Sequence, residues 1–169
     1  MSVSIYDVFV PTTNRVFANM LVFLKKAETF AAAKKIDVGV LLNSRLAPDM
    51  LPLIKQVQIA SDTVKAAAGR LSGTEIPSYA DTEATLPELE ARLAKTLEFI
   101  NAIPAEKFAG SESRDIVLPR RSGDVQMKGL IYLLNFVLPN LYFHATTLYA
   151  ILRHNGVEVG KNDFLGKLD

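Results

Sequence analysis

Four long stretches of this chain repeat apolar residues at helical spacing, and the strand signal elsewhere is slight. The first runs from about Ser4 to Lys35 and carries Val16, Met20, Phe23, Leu24, Ala27 and Phe30 on one stripe. The second carries Met50, Ile54, Val57, Val64, Ala68 and Leu71. The third carries Leu89, Leu93, Leu97 and Ile100, and the fourth extends from Met127 or Gly129 to Asn155–Gly156. A helix with one apolar stripe must bury it against another element, so four in one chain predict helices packed on helices around one core. The expected fold is all-α, a four-helix bundle forming a single domain over residues 1–169. A chain of this length buries roughly two-thirds of its unfolded surface, enough for a core without covalent staples.

Local signals set the expected boundaries. Ser4 and Asp7 form a capping box that starts helix one. Pro11 removes an amide donor and crowds the Asp7 carbonyl, which predicts a kink or a restart at Thr12 or Thr13. Asp37 to Asn43 reads as a short helical turn, and Ser44 to Pro48 as a connector with Pro48 in the first turn of helix two. Arg45 and Asp49 are placed to form a local ion pair across Pro48. Gly73 is the expected left-handed cap of helix two. Thr74 to Ala84 reads as a loop, Thr85 to Glu88 as a second capping box, and Pro104 as the end of helix three. Asp115–Leu118 and Asp124–Met127 flank the turn residues Pro119 to Gly123, which predicts a small hairpin with Arg120 and Arg121 near its tip. Pro139 kinks the fourth helix or divides it, and Val157 to Asp169 folds back along the helices.

Composition excludes several function classes. The chain has no cysteine, which removes disulfides, thiolate ligands and cysteine nucleophiles together and suits a reducing cytoplasm. The N-terminus lacks a basic segment followed by an apolar one, so no secretion signal is expected and the location predicted is cytoplasmic. A net charge of +1 gives no general drive toward nucleic acid or anionic membrane. With no tryptophan and 8% aromatic residues, a base-stacking platform is not expected either. Gly129 to Phe143 is apolar but is interrupted by Asn135, Pro139 and Asn140, and it falls short of the roughly 20 residues a membrane span needs. It reads as the most buried helix of the core. Lys25–Lys26 and Lys34–Lys35 fall on the solvated outer face.

No nucleophile elbow, phosphate-cradling glycine loop or zinc-binding His-Glu-x-x-His helix occurs in the sequence. What remains is a set of polar residues where a core should be apolar. At about 100° per residue, His144 lies within roughly 60° of Val137, Leu141, Leu148 and Ile151, with Asn140 one turn before it. A histidine there is either a hydrogen-bonded structural residue or a base or ligand. Asn140 has two readings as well, a partner for backbone freed near Pro139 or part of a pocket. On helix two, Gln58 follows Ile54 by one turn and precedes Asp62 by one turn, at the margin of the apolar stripe. Arg153 and His154 sit in the last turn of the fourth helix, where cations favour the helix dipole.

Pro139-Asn140-Leu141-Tyr142-Phe143-His144 leads into Leu148 to Gly156, and this segment resembles the closing helix of the DinB and YfiT superfamily of bacterial four-helix bundles. There an inward histidine precedes an apolar run ending in Leu-Arg-x-x-Gly, matched by Leu152, Arg153 and Gly156. Arg45 to Met50, Gln56-Val57-Gln58, Gly160-Lys161 and Leu165-Gly166 resemble an uncharacterised branch of the superfamily over nearly the full length. The resemblance implies up-down-down-up topology, with a small hairpin or loop inserted before the last helix. It also implies a metal site of three histidines, one from helix two and a His-x-x-x-His pair from helix four. Only His144 matches; Asn140 stands at the first position of the pair and Gln58 at the helix-two position. Neutral amides are weak ligands for zinc or nickel, so no cofactor and no tightly held metal are expected.

Three functions follow. The first is binding of a small polar ligand, without metal, through Gln58, Asn140, His144 and Asp62. The second, implied by relatives that transfer low-molecular-weight thiols, is a divergent metal- or thiol-dependent transferase or hydrolase using His144. The third is a structural or interaction protein, a homodimer whose polar cluster specifies helix register.

Overall fold

The computed structural model describes residues 3–119 and 122–167. Helix α1 (Ile5–Lys34) starts at Ser4, whose hydroxyl accepts from the Asp7 amide at 3.2 Å while the Asp7 carboxylate accepts from the Ser4 amide at 3.1 Å. That is the predicted capping box. The helix then runs through Pro11 without the predicted restart. Asp7 and Pro11 both lie on its exposed face, where solvent can serve the carbonyl that loses its donor.

Helix α2 (Val38–Asn43) is capped by Asp37, which accepts from the Gly39 amide at 2.8 Å. The following connector departs from expectation. The Met50 amide bonds the Ala47 carbonyl, and Arg45 donates to the Met50 carbonyl instead of pairing with Asp49. Helix α3 (Leu53–Ser72) therefore begins behind Pro52, not Pro48, and the Lys55 and Gln56 amides bond the Pro52 carbonyl. Gly73, at φ 72°, ends it as predicted. Helix α4 (Leu86–Asn101) opens on the second box, with the Thr85 amide donating to Glu88 at 2.9 Å, and stops short of Pro104.

Strands β1 (Asp115–Leu118) and β2 (Val125–Lys128) pair antiparallel, with Asp115 opposite Lys128 and Leu118 opposite Val125. The second strand starts one residue later than predicted. Arg120 and Arg121 lie outside the described residues. β2 leads directly into α5 (Gly129–Tyr132), a π-turn over Leu133–Val137, and α6 (Leu138–His154), with no gap between them. The disturbance expected at Pro139 thus takes the form of one wide turn just before it, and the helix continues. Asn140 Nδ2 donates to the Phe136 carbonyl at 2.6 Å, so the amide serves backbone in the disturbed turn. Arg153 and His154 are exposed in the last turn of α6.

Helix α7 (Lys161–Leu165) folds back on α1 as expected. Lys26 pairs with Asp163 at 2.7 Å, and Asn19 Nδ2 donates to the Phe164 carbonyl at 2.7 Å. The long helices pack on one another: α3 against α4 and α6, and α1 against the same two. Phe9, Phe17, Phe23, Phe108 and Tyr132 are the bulkiest side chains between them. Thirteen of the 20 residues of α3 are buried, so it meets neighbours on more than one side. No helix among the described residues is long and apolar enough to cross a membrane.

Gly129 joins the hairpin to the fourth long helix with no room to spare. A Cβ there would lie 1.9 Å from the Ser111 carbonyl oxygen, so backbone must move to admit one. Gly129→Ala is expected to cost about 3 kcal/mol, the upper part of the overpacking range, as measured by urea unfolding. A cost below ~0.5 kcal/mol would show that the junction relaxes freely.

Candidate functional site

The polar residues singled out in the sequence divide between two sides of α3. Gln56 and Gln58 are about 200° apart around a helix, so one that faces α6 leaves the other facing α4. It is Gln56 that meets His144. The Gln56 Nε2 donates to the Leu51 carbonyl at 2.8 Å, which fixes the amide's orientation, and its Oε1 lies 2.8 Å from His144 Nδ1. A carbonyl oxygen only accepts, so Nδ1 carries the hydrogen and the neutral ring keeps its lone pair on Nε2.

His144 is 7% exposed, and Phe143 meets its ring edge-on with centroids 5.2 Å apart. Burial pushes the imidazole below its ordinary pKa. Nε2 has no hydrogen-bond partner among the described residues. Asn140 is one turn before His144, its amide held by the Phe136 carbonyl.

The expected convergence of Gln58, Asn140 and His144 is corrected here. Gln58 Nε2 donates to Glu83 at 2.8 Å, and Asp62 pairs with Lys65 at 2.7 Å and with Arg92 at 3.0 Å. Both belong to a charged cluster under the loop between α3 and α4. Arg92, its side chain 2% exposed, also reaches Asp81 at 3.1 Å and Glu83 at 2.9 Å. Burial alone would raise the Glu83 carboxyl, but hydrogen bonds from Arg92 and Gln58 hold it below its usual range. Sequence reasoning missed Gln56 as the partner of His144 and Arg92 as the centre of the second cluster. The start of α3 at Pro52 is the signal that would have drawn attention to Gln56, because it puts that residue in the first turn beside the Leu51 carbonyl.

Comparison with known proteins adds the lineage. Residues 5–165 match a domain of unknown function, DUF1993. The chain belongs to the DUF1993 family. The crystal structure of a DinB family member protein from Shewanella denitrificans is 45% identical to it, covers 96% of this chain and 92% of its own, and superposes with a TM-score of 0.91. This DUF1993 chain is therefore DinB-like, as its fourth helix implied. No curated protein matches it.

The three-imidazole metal site that the DinB resemblance implies does not fit these side chains. His144 and the α3 amide nearest it bond each other, and the Asn140 amide is bonded to its own helix. Among the described residues, no group of three or more His, Cys, Asp or Glu is placed to hold a metal ion.

The depressed pKa of His144 has a stability consequence. As pH falls below 6.5, the ordinary value, the unfolded chain takes up the proton before the folded one does. This residue therefore costs stability progressively from near pH 6.5 down to its folded pKa, and has no such effect above pH 6.5. The stability advantage of wild type over His144→Gln, read from urea midpoints, is expected to be constant above that pH and to shrink below it. A difference that does not change with pH would show that the folded ring is as well solvated as the unfolded one.

Proposed function

We propose that this DUF1993 protein is an up-down-down-up four-helix bundle that binds a small polar ligand at the seam between α3 and α6, holds no tightly bound transition metal, and acts as a cytoplasmic homodimer. One observation carries the ligand reading. Gln56 ties down the Nδ1–H of His144, and the opposite nitrogen keeps a lone pair without a partner among the described residues. A ligand suited to that atom brings a hydrogen-bond donor: a hydroxyl, an amide or a thiol. Roughly two turns back along the fourth long helix, the same seam opens into a cleft of about 380 Å³ beside Ile59, Thr63 and Phe136, with Arg70 and Tyr132 bonded at its edge. Pockets between helices of a bundle are ordinary ligand sites. The metal-free reading rests on donor chemistry, since one imidazole and neutral amides make a weak set for zinc or nickel.

A thiol-dependent transferase is the second reading, favoured by the same atom. Burial keeps the imidazole in its unprotonated form, the form a general base requires. The dimer reading is supported by Leu130, Ile131 and Leu134, an exposed apolar row on the fourth long helix.

A thermal-shift screen of small alcohols, amides and thiols, with metal analysis of protein purified without added metal, tests the site. Members of one of these classes are expected to raise the melting temperature of wild type but not of His144→Phe, which keeps the ring's bulk and loses the lone pair. Stoichiometric zinc or nickel would overturn the metal-free reading. Sedimentation at micromolar concentration is expected to give a dimer that Leu134→Lys dissociates; a wild-type monomer would remove the dimer.

A further inference from the structure

A separate cavity of about 180 Å³ lies between α1, α6 and α7, and no α3 residue lines it. Its inner wall is apolar apart from the buried Asn19 amide. Phe23 is fully buried there, its ring stacked on Phe164 with centroids 6.2 Å apart, and Ala145 faces them from α6. Its mouth is polar. Arg15 and Tyr142 line it and are exposed, and among the described residues Arg15 is the one charged side chain of its lining. Among the described residues, the Arg15 guanidinium has no ion pair or hydrogen bond.

The α7 wall is held in place by contacts of its own. Asn19 on α1 donates to the Phe164 carbonyl at 2.7 Å, and Lys26 pairs with Asp163 at 2.7 Å. Beyond α7 the backbone passes so close to α1 that a Cβ on Gly166 would lie 2.5 Å from Asn19 Oδ1. Asp163, the acidic residue of α7, is held by Lys26 and the Gly160 amide and does not compete for Arg15. A cavity with walls fixed in this way is formed before any ligand arrives, which lowers the ordering cost of binding.

We propose that this cavity binds a small organic anion, a carboxylate on a compact apolar body. The carboxylate lies at the mouth on Arg15, and the body lies inside against Phe23, Ala145 and Phe164. Size and charge set the ligand class. Apolar cavities of about 150 Å³ accept benzene, so this one takes a single ring or a branched chain of that bulk. A guanidinium without a partner among the described residues matches a carboxylate with two parallel hydrogen bonds. The site is independent of His144 and stands apart from the ligand proposed for the α3–α6 seam.

Sodium benzoate is the probe, titrated into the full chain and followed by calorimetry and NMR. Saturable one-to-one binding at millimolar concentration or below is expected, with shifts at Tyr142 and Phe164 and none at the His144 ring. Arg15→Gln, at an exposed position that leaves the helical circular dichroism unchanged, is expected to weaken binding about tenfold. Benzyl alcohol, the neutral probe, is expected to bind wild type more weakly than benzoate by a similar factor, and Ala145→Leu to block benzoate by filling the cavity. The proposal is overturned if benzoate does not saturate wild type, if Arg15→Gln binds it equally well, or if the shifts centre on His144. In that last case the anion belongs to the seam, and the reading of the seam survives while this one fails.

Discussion

Arg92 brings together three parts of the chain that nothing covalent holds side by side. From α4 it reaches Asp62 on α3, and Asp81 and Glu83 on the connection between the two helices. A charge at this depth costs several kcal/mol if left unpaired, so the carboxylates and the loop that carries two of them must stay where they are. Glu83 matters most, because its side chain is 13% exposed whereas those of Asp62 and Asp81 are 43% and 42% exposed and are screened by water. The same cluster sets the rotation of α3 about its axis. With Gln58 and Asp62 turned toward Arg92, Gln56 is left on the side of α6, where His144 is. The candidate site on one side of the helix therefore depends on the ion pairs on the other. Tyr79 adds a lid to the cluster, with the Lys65 and Lys95 ammonium groups 4.0 and 4.3 Å from its ring centre.

Much of the fold was legible because the signals were local. Ser4 with Asp7 and Thr85 with Glu88 are reciprocal hydrogen-bond pairs three residues apart, and short-range chemistry of that kind does not depend on the rest of the chain. Gly73 ended α3 for the same reason. The candidate site was less legible, and α3 shows why. Periodicity identifies an inward face only when a helix has one, and α3 buries Gln56, Gln58, Ser61 and Lys65 as well as its aliphatic residues. With neighbours on several sides, apolar spacing cannot say which polar side chain points at which neighbour. Two prolines four residues apart added to the difficulty. Pro48 and Pro52 suit a helix start equally well in sequence, and the Arg45 bond to the Met50 carbonyl, which favours the second, is a contact of the folded connector.

The two polar residues on α6 illustrate how one signal can have different causes. Asn140 and His144 are one turn apart on an apolar helix, and their spacing marks them as a pair. In the fold they do different work: Asn140 serves the backbone of its own helix, while His144 bonds across to α3. An amide beside a proline was readable as a repair of lost backbone hydrogen bonding, and that reading describes Asn140 here. His144 differs in keeping one nitrogen with no described partner, and an atom of that kind is where chemistry beyond packing can begin.

The π-turn before Pro139 amounts to one extra residue in an otherwise regular helix. Tyr132 and His144 are twelve positions apart, which on an uninterrupted α-helix would separate their directions by about 120°. Absorbing one residue in the wide turn reduces that to about 20°, so both side chains face α3, one bonded to Arg70 and the other to Gln56. In terms of descent, the turn marks a place where the chain length can change by a single codon without redirecting the helix that follows. Deleting one residue within Leu133–Val137 would leave eleven positions between Tyr132 and His144, which on a regular helix again separates their directions by about 20°, so relatives can lose the irregularity and keep both contacts.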